Sequence, residues 1–188
     1  MGRKDNSRYT NAPSPTKRTQ APPEARTRPD FRQELPHIQH DEAVYHGTVI
    51  CMRCHAIHDS HKRWHLNEEE FQQLSKDDAV EQVLCPGCLQ IEDGRYDGQV
   101  VLTSPLIPDN EAAILGLIHN TEAQVRANNP LARIAGLTVK GETIEVLTIT
   151  PFLAERIGKE LQKAYQGTLE IKQLDRARFK RVMWYRED

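Results

Sequence analysis

Cys51-Met52-Arg53-Cys54 and Cys85-Pro86-Gly87-Cys88 are the residues of this 188-residue chain whose types and spacing could do chemistry. In a C-x-x-C turn the two-residue gap lets both sulfurs point at one ion, while following backbone N–H groups bond the thiolates. Two such pairs supply four thiolates, enough to close a tetrahedral shell around zinc, and no cysteine is left over. Pro86-Gly87 suits a turn, since Pro fixes φ and Gly accepts positive φ. A shell of four protein thiolates leaves no position for water. The expected cofactor is therefore one structural zinc ion held by Cys51, Cys54, Cys85 and Cys88.

Other chemistries fit the pattern less closely. Two disulfides would call for an oxidising compartment. A redox pair should open a helix behind a buried strand, a context neither pair shows in the sequence. Cys51-Met52-Arg53-Cys54-His55 matches a haem-attachment motif, but that chemistry normally requires export, and Leu89 rather than His follows the second pair. The pieces of a zinc deaminase are missing, because His55 is followed by Ala56-Ile57 and Pro86 follows Cys85 instead of preceding it. His55, His58, His61 and His65 could replace a cysteine or build a second site with Asp59. With four cysteines present they read as partly exposed polar residues.

The elements that must position these residues divide the chain in three: a tail over 1–42, a zinc ribbon over 43–97 and an α+β unit over 98–188. Six of the 11 prolines fall within residues 1–40, with almost no aliphatic residues, so this segment cannot bury enough apolar surface to offset its backbone entropy and reads as disordered. Arg3, Lys4, Arg8, Lys17, Arg18, Arg26 and Arg28 make it basic, and such an arm can follow the phosphates of a nucleic acid. Residues 1–28 carry 7 Lys/Arg against 2 Asp/Glu, whereas 43–97 carry 5 against 10. No run approaches the roughly 18 apolar residues of a membrane span, and the N-terminus lacks the apolar stretch of a secretory signal. The expectation is a cytoplasmic protein without a membrane partner.

In the ribbon, Lys62–Leu66 reads as a strand and Asn67 as the N-cap of a helix with three acids in its first turn. Beyond Gly98 the pattern becomes regular. Gln99–Thr103 is a strand, and Asp109 caps a helix of about 18 residues that Asn128-Asn129-Pro130 stops. Ile134–Val139 and Thr143–Ile149 form a hairpin across Lys140-Gly141, Thr150-Pro151 starts a second helix, and Gly167 stops it. Thr168–Leu174 and Arg178–Tyr185 close the chain. The order is β-α-β-β-α-β plus one strand, the ferredoxin-like plan with both helices on one sheet face.

This half shows no phosphate loop, dinucleotide fingerprint, nucleophile elbow or cysteine nucleophile, and Glu122, Glu145 and Glu155 have no visible pairing, so no enzyme and no small-molecule substrate are expected. Its last strand interleaves basic and aromatic residues: Phe179, Arg181, Met183 and Tyr185 on one face, Lys180, Val182, Trp184 and Arg186 on the other. Lys180, Arg181, Trp184, Tyr185 and Arg186 are candidate RNA contacts, since an open sheet of this kind stacks bases and holds phosphates. The same pattern also suits a core face opposite a charged guard against edge pairing.

The cysteine pairs, Arg63-Trp64, Ile91 with Asp93-Gly94, Gly98, Asn129–Ile134, Leu153-Ala154, Ile157-Gly158, Ala164-Tyr165 with Gly167, and Trp184–Arg186 together resemble small bacterial zinc-ribbon proteins over roughly residues 44–186. Those proteins are similar to the N-terminal zinc region of the large-ribosomal-subunit export adaptor family of archaea and eukaryotes. His55 stands where the resemblance implies glycine. The resemblance implies zinc and association with the ribosome or RNA. The expected function is a non-enzymatic zinc protein that binds RNA, ribosomal RNA foremost. The alternative is a protein–protein adaptor with a structural zinc ribbon.

Overall fold

The computed structural model describes residues 45, 47–59, 63–174 and 178–187. The N-terminal tail, with all seven of its candidate basic contacts, and His61 lie outside the described residues. The architecture is α+β, with two sheets and four helices among the described residues.

The first sheet is small. Strands β1 (Val49–Cys51), β2 (Ala56–His58), β3 (Trp64–Leu66) and β4 (Glu81–Val83) have three residues each and lie in the order β3-β2-β1-β4. β4 runs parallel to β1, and the other neighbours are antiparallel. Ile50 and Ile57 bury one face against Phe71 of helix α1 (Glu68–Leu74). Asn67 caps α1 as its sequence suggests, its side chain accepting from the Glu70 N–H, with Glu68, Glu69 and Glu70 at the positive end of the helix. The opposite face turns Cys51 and Ala56 toward Cys85 and Cys88.

The second sheet is larger. Strands β5 (Gly98–Thr103), β6 (Ile134–Lys140), β7 (Thr143–Thr148), β8 (Thr168–Gln173) and β9 (Lys180–Tyr185) lie in the order β6-β7-β5-β9-β8. Helix α3 (Ile107–Arg126) joins β5 to β6, and α4 (Pro151–Tyr165) joins β7 to β8. β7 sits antiparallel between β5 and β6, as a split β-α-β unit requires. The final strand does not add to an edge. β9 inserts parallel to β5 and displaces β8 to the rim. Val100, Leu102, Ile144, Val146, Val182 and Trp184 share one core with Ile114 and Ile118 of α3 and Leu153, Ile157 and Leu161 of α4. Gly158 lets α4 lie directly on β9, because a Cβ there would run into the Val182 side chain.

The first helix of this half begins earlier than Asp109 suggests. It starts at Ile107 with Pro108 in its first turn, and Leu106 holds the cap position without a side-chain bond. Ser104 takes over part of that role by accepting from the Leu106 N–H at 3.3 Å. Asp109 lies in the first turn, where its charge complements the helix dipole. Thr150 caps α4 as read, accepting from the Leu153 N–H.

Candidate metal centre

β1 delivers Cys51, and the turn after it delivers Cys54. The His55 N–H donates to the Cys51 carbonyl at 2.9 Å and closes this turn. The turn puts His55 at φ 60°, the left-handed region that favours glycine. Two side-chain interactions hold it there: its ring stacks on Phe71 at 4.1 Å and its Nδ1 lies 3.0 Å from Glu68 Oε2.

Cys85 and Cys88 are presented differently from the two matched turns that the sequence suggests. Cys85 is the N-cap of helix α2 (Pro86–Glu92), Pro86 occupies its first position, and Cys88 sits one turn in. Pro has no N–H to leave unsatisfied at that position, which is why the Cys-Pro-Gly-Cys run starts a helix so readily. The preceding β4 is largely exposed, unlike the buried strand behind a redox pair.

The four sulfurs lie within 4.8 Å of one another, with Cys51 and Cys88 3.7 Å apart and Cys54 and Cys85 3.5 Å apart. All four thiols are free, and three of the cysteines are buried. Backbone donors point at the sulfurs: the Cys85 N–H at Cys51 Sγ (3.3 Å) and the Cys88 N–H at Cys85 Sγ (3.4 Å). Four thiolates packed this closely repel, so a bound cation is what allows all of them to ionise. Without one the protons are shared unevenly. Hydrogen bonds from Cys54 and Cys85 hold the Cys51 thiol down, whereas the bonds Cys85 makes to Cys51 and Cys54, with burial, push that thiol up. Burial and the neighbouring Cys54 raise Cys88 to about 11 against the pull of Arg133. The four cysteines could hold one metal ion.

Arg133, in the loop before β6, completes the centre. Its Nη1 donates to Cys88 Sγ at 2.8 Å, and Leu131 from the same loop packs on the cysteine cluster. Gly87 permits this approach, since a Cβ there would sit 3.3 Å from the Leu131 carbonyl oxygen. Sequence reading missed Arg133 as a site residue. The available signal was Asn129-Pro130-Leu131-Ala132-Arg133, a conspicuous run between two regular elements.

The histidines take separate roles. His65 Nε2 lies 2.9 Å from Glu70 Oε2, and His55 is engaged as above. His58 is 6% exposed, not partly exposed as read, and packs in a cluster with the rings of Tyr45 and Trp64, which also touch each other. None of the described histidines joins the cysteine cluster.

The candidate RNA residues of β9 divide between the two faces of the sheet. Trp184 is 1% exposed and donates its Nε1–H to the Gln166 carbonyl at 2.6 Å, so it cannot stack on a base and is withdrawn from that role. Lys180 pairs with Glu155 of α4, and Arg186 Nη1 donates to the Tyr165 carbonyl at 2.8 Å. On the opposite face Arg181 Nε donates to Gln99 Oε1 at 2.9 Å, Gln99 Nε2 donates to Glu145, and Tyr185 is 41% exposed. The three carboxylates without visible partners in the sequence all have one: Glu122 accepts from the Ile134 N–H, Glu145 from Gln99, and Glu155 from Lys159 and Lys180.

Comparison with protein-family models, with curated proteins and with solved structures finds no match to the chain.

Proposed function

We propose that the protein is a non-enzymatic zinc protein that associates with RNA, the ribosome foremost. The convergence of four sulfurs within 4.8 Å is the observation that carries the metal. Sulfurs at tetrahedral corners 2.3 Å from one zinc ion stand about 3.8 Å apart, close to the 3.5 and 3.7 Å between the two sulfur pairs. Disulfides would bring paired sulfurs to about 2 Å. Four thiolates around Zn²⁺ leave two negative charges, and the Arg133 guanidinium offsets one of them. The zinc is structural, as its filled shell leaves no site for water. In this reading the first sheet is a zinc-ribbon variant whose second cysteine pair opens a helix. The second sheet is a ferredoxin-like unit with its last strand intercalated.

The RNA reading is supported by the β9 face that carries Tyr185 and Arg181, beside Lys172 of β8, and by the basic tail. Co-sedimentation with ribosomes from lysate, lost at high salt or after RNase, tests it. For purified RNA, log K should fall with log salt at about −0.7 per neutralised phosphate, and removing residues 1–28 should flatten that slope. Tyr185→Ala should weaken binding by about 1–3 kcal/mol if the ring stacks on a base. Binding that ignores salt, tail and Tyr185 would replace RNA with a protein partner, the adaptor reading.

A further inference from the structure

The two rims of the second sheet are built differently. β6 carries an irregularity in register between Ile134 and Gly136, a common device against edge-to-edge pairing. β8 has none: its six residues pair in unbroken register with β9, and it is the terminal strand of the sheet among the described residues. Ile171, at the middle of this rim, is 38% exposed although it lies on the same sheet face as buried Val182 and Trp184. Glu170 and Lys172 flank it on the open face, where Lys172 Nζ lies 3.3 Å from Glu170 Oε2.

We propose that β8 is a self-association edge whose occupant is β8 of a second copy of this chain, paired antiparallel about a two-fold axis through Ile171. Charge complementarity selects this partner. In that register residue 170 faces residue 172 of the other copy, so Glu170 meets the second copy's Lys172, and the same contact recurs by symmetry. Ile171 meets its own counterpart on the helix-side face and loses its exposure there. Opposite charges and apolar pairs directly across an antiparallel ladder stabilise it, and like charges in those positions oppose it. A C2 contact of this kind is closed, so it yields a dimer with one continuous sheet and not a filament. Lys172 also lies across from Arg181 on β9, so the acid of a second copy arrives where the local charge is positive.

Sedimentation velocity on the full chain across a concentration series tests the proposal. The expected result is a concentration-dependent dimer. Glu170→Lys should weaken dimerisation about tenfold, because two like-charge contacts replace two attractive ones. Combining Glu170→Lys with Lys172→Glu should restore it, since the swapped charges again face opposite partners. Circular dichroism of each variant checks that the fold is retained, and Lys172→Glu alone supplies the same test if Glu170→Lys fails to fold. A wild-type chain that stays monomeric throughout would overturn the proposal. So would a dimer indifferent to the single reversals, or one that the double swap fails to rescue.

Discussion

Residues 49–93 and residues 98–187 are held together by different means. The second region has strands of six or seven residues and a continuous core in which Leu102, Ile114, Ile118, Ile144, Leu153, Ile157 and Trp184 are all buried. The first has strands of three residues, one small cluster of Ile50, Ile57 and Phe71, and a second cluster that consists mainly of the cysteines. A region this thin has few apolar side chains to set against the ordering of its backbone, the circumstance in which small folds often rely on a metal. A metal ion bound at the four cysteines would contribute folding free energy directly. The comparison teaches that the cysteines stand where the other half has a core, and that the loop carrying Leu131 and Arg133 links the second half to them.

Cys88→Ser should give the largest effect. Losing one thiolate opens the shell and breaks the bond from Arg133, so the variant should lose its metal and the first region its cooperative structure. The check is metal content by elemental analysis together with hydrogen exchange over residues 49–58. A Cys88→Ser protein that keeps a full metal complement would break the comparison. Trp184→Ala should strike the other region, costing about 3–5 kcal/mol by the cavity it leaves, with the Gln166 carbonyl also losing its donor. Its thermal transition should fall while metal stoichiometry below that transition is unchanged.

Arg133→Ala sharpens the link between the two. Groups that bond a metal's ligands typically tune metal affinity by about 10–100-fold, and a loss of that size is expected in chelator competition. Arg133→Lys should recover part of it, as it keeps the charge but not the planar fork.

The smallest effect belongs to Glu155, which pairs with Lys159 within α4 and ties α4 to β9 through Lys180. Glu155 accepts from Lys159 and Lys180, which together hold its carboxyl down to about 2. An unfolded glutamate titrates near about 4.3, so the charged form is favoured by folding. The contribution is complete above that value and is lost as pH falls toward about 2. Glu155→Gln should therefore cost below about 1 kcal/mol at neutral pH, as ion pairs in reach of solvent do, and nothing at the acid end. Parallel stability curves for the two proteins across that window would contradict this.

Much of this arrangement was legible in the sequence for physical reasons. Asn67, Thr150 and Pro151 mark helix starts because capping chemistry is local, and the strands of the second half show in their apolar patterning. The convergence of the cysteines followed from their spacing, without foreknowledge of the fold. Three features were not legible. That Cys85 opens a helix depends on how one short stretch resolves between turn and helix, and Pro86-Gly87 suits either. The burial of Trp184 depends on which face of β9 meets α4, and the alternation in that strand places aromatic and basic residues on both faces. Arg133 lies 45 residues from Cys88, so only the tertiary fold joins them.

Hydrogen exchange of the full-length protein, metal-loaded and chelator-stripped, tests the central claim most directly. The account predicts that stripping collapses protection across 49–58 and 85–92, while 98–103 and 144–148 stay protected. Equal protection of 49–58 and 85–92 in both forms would contradict it.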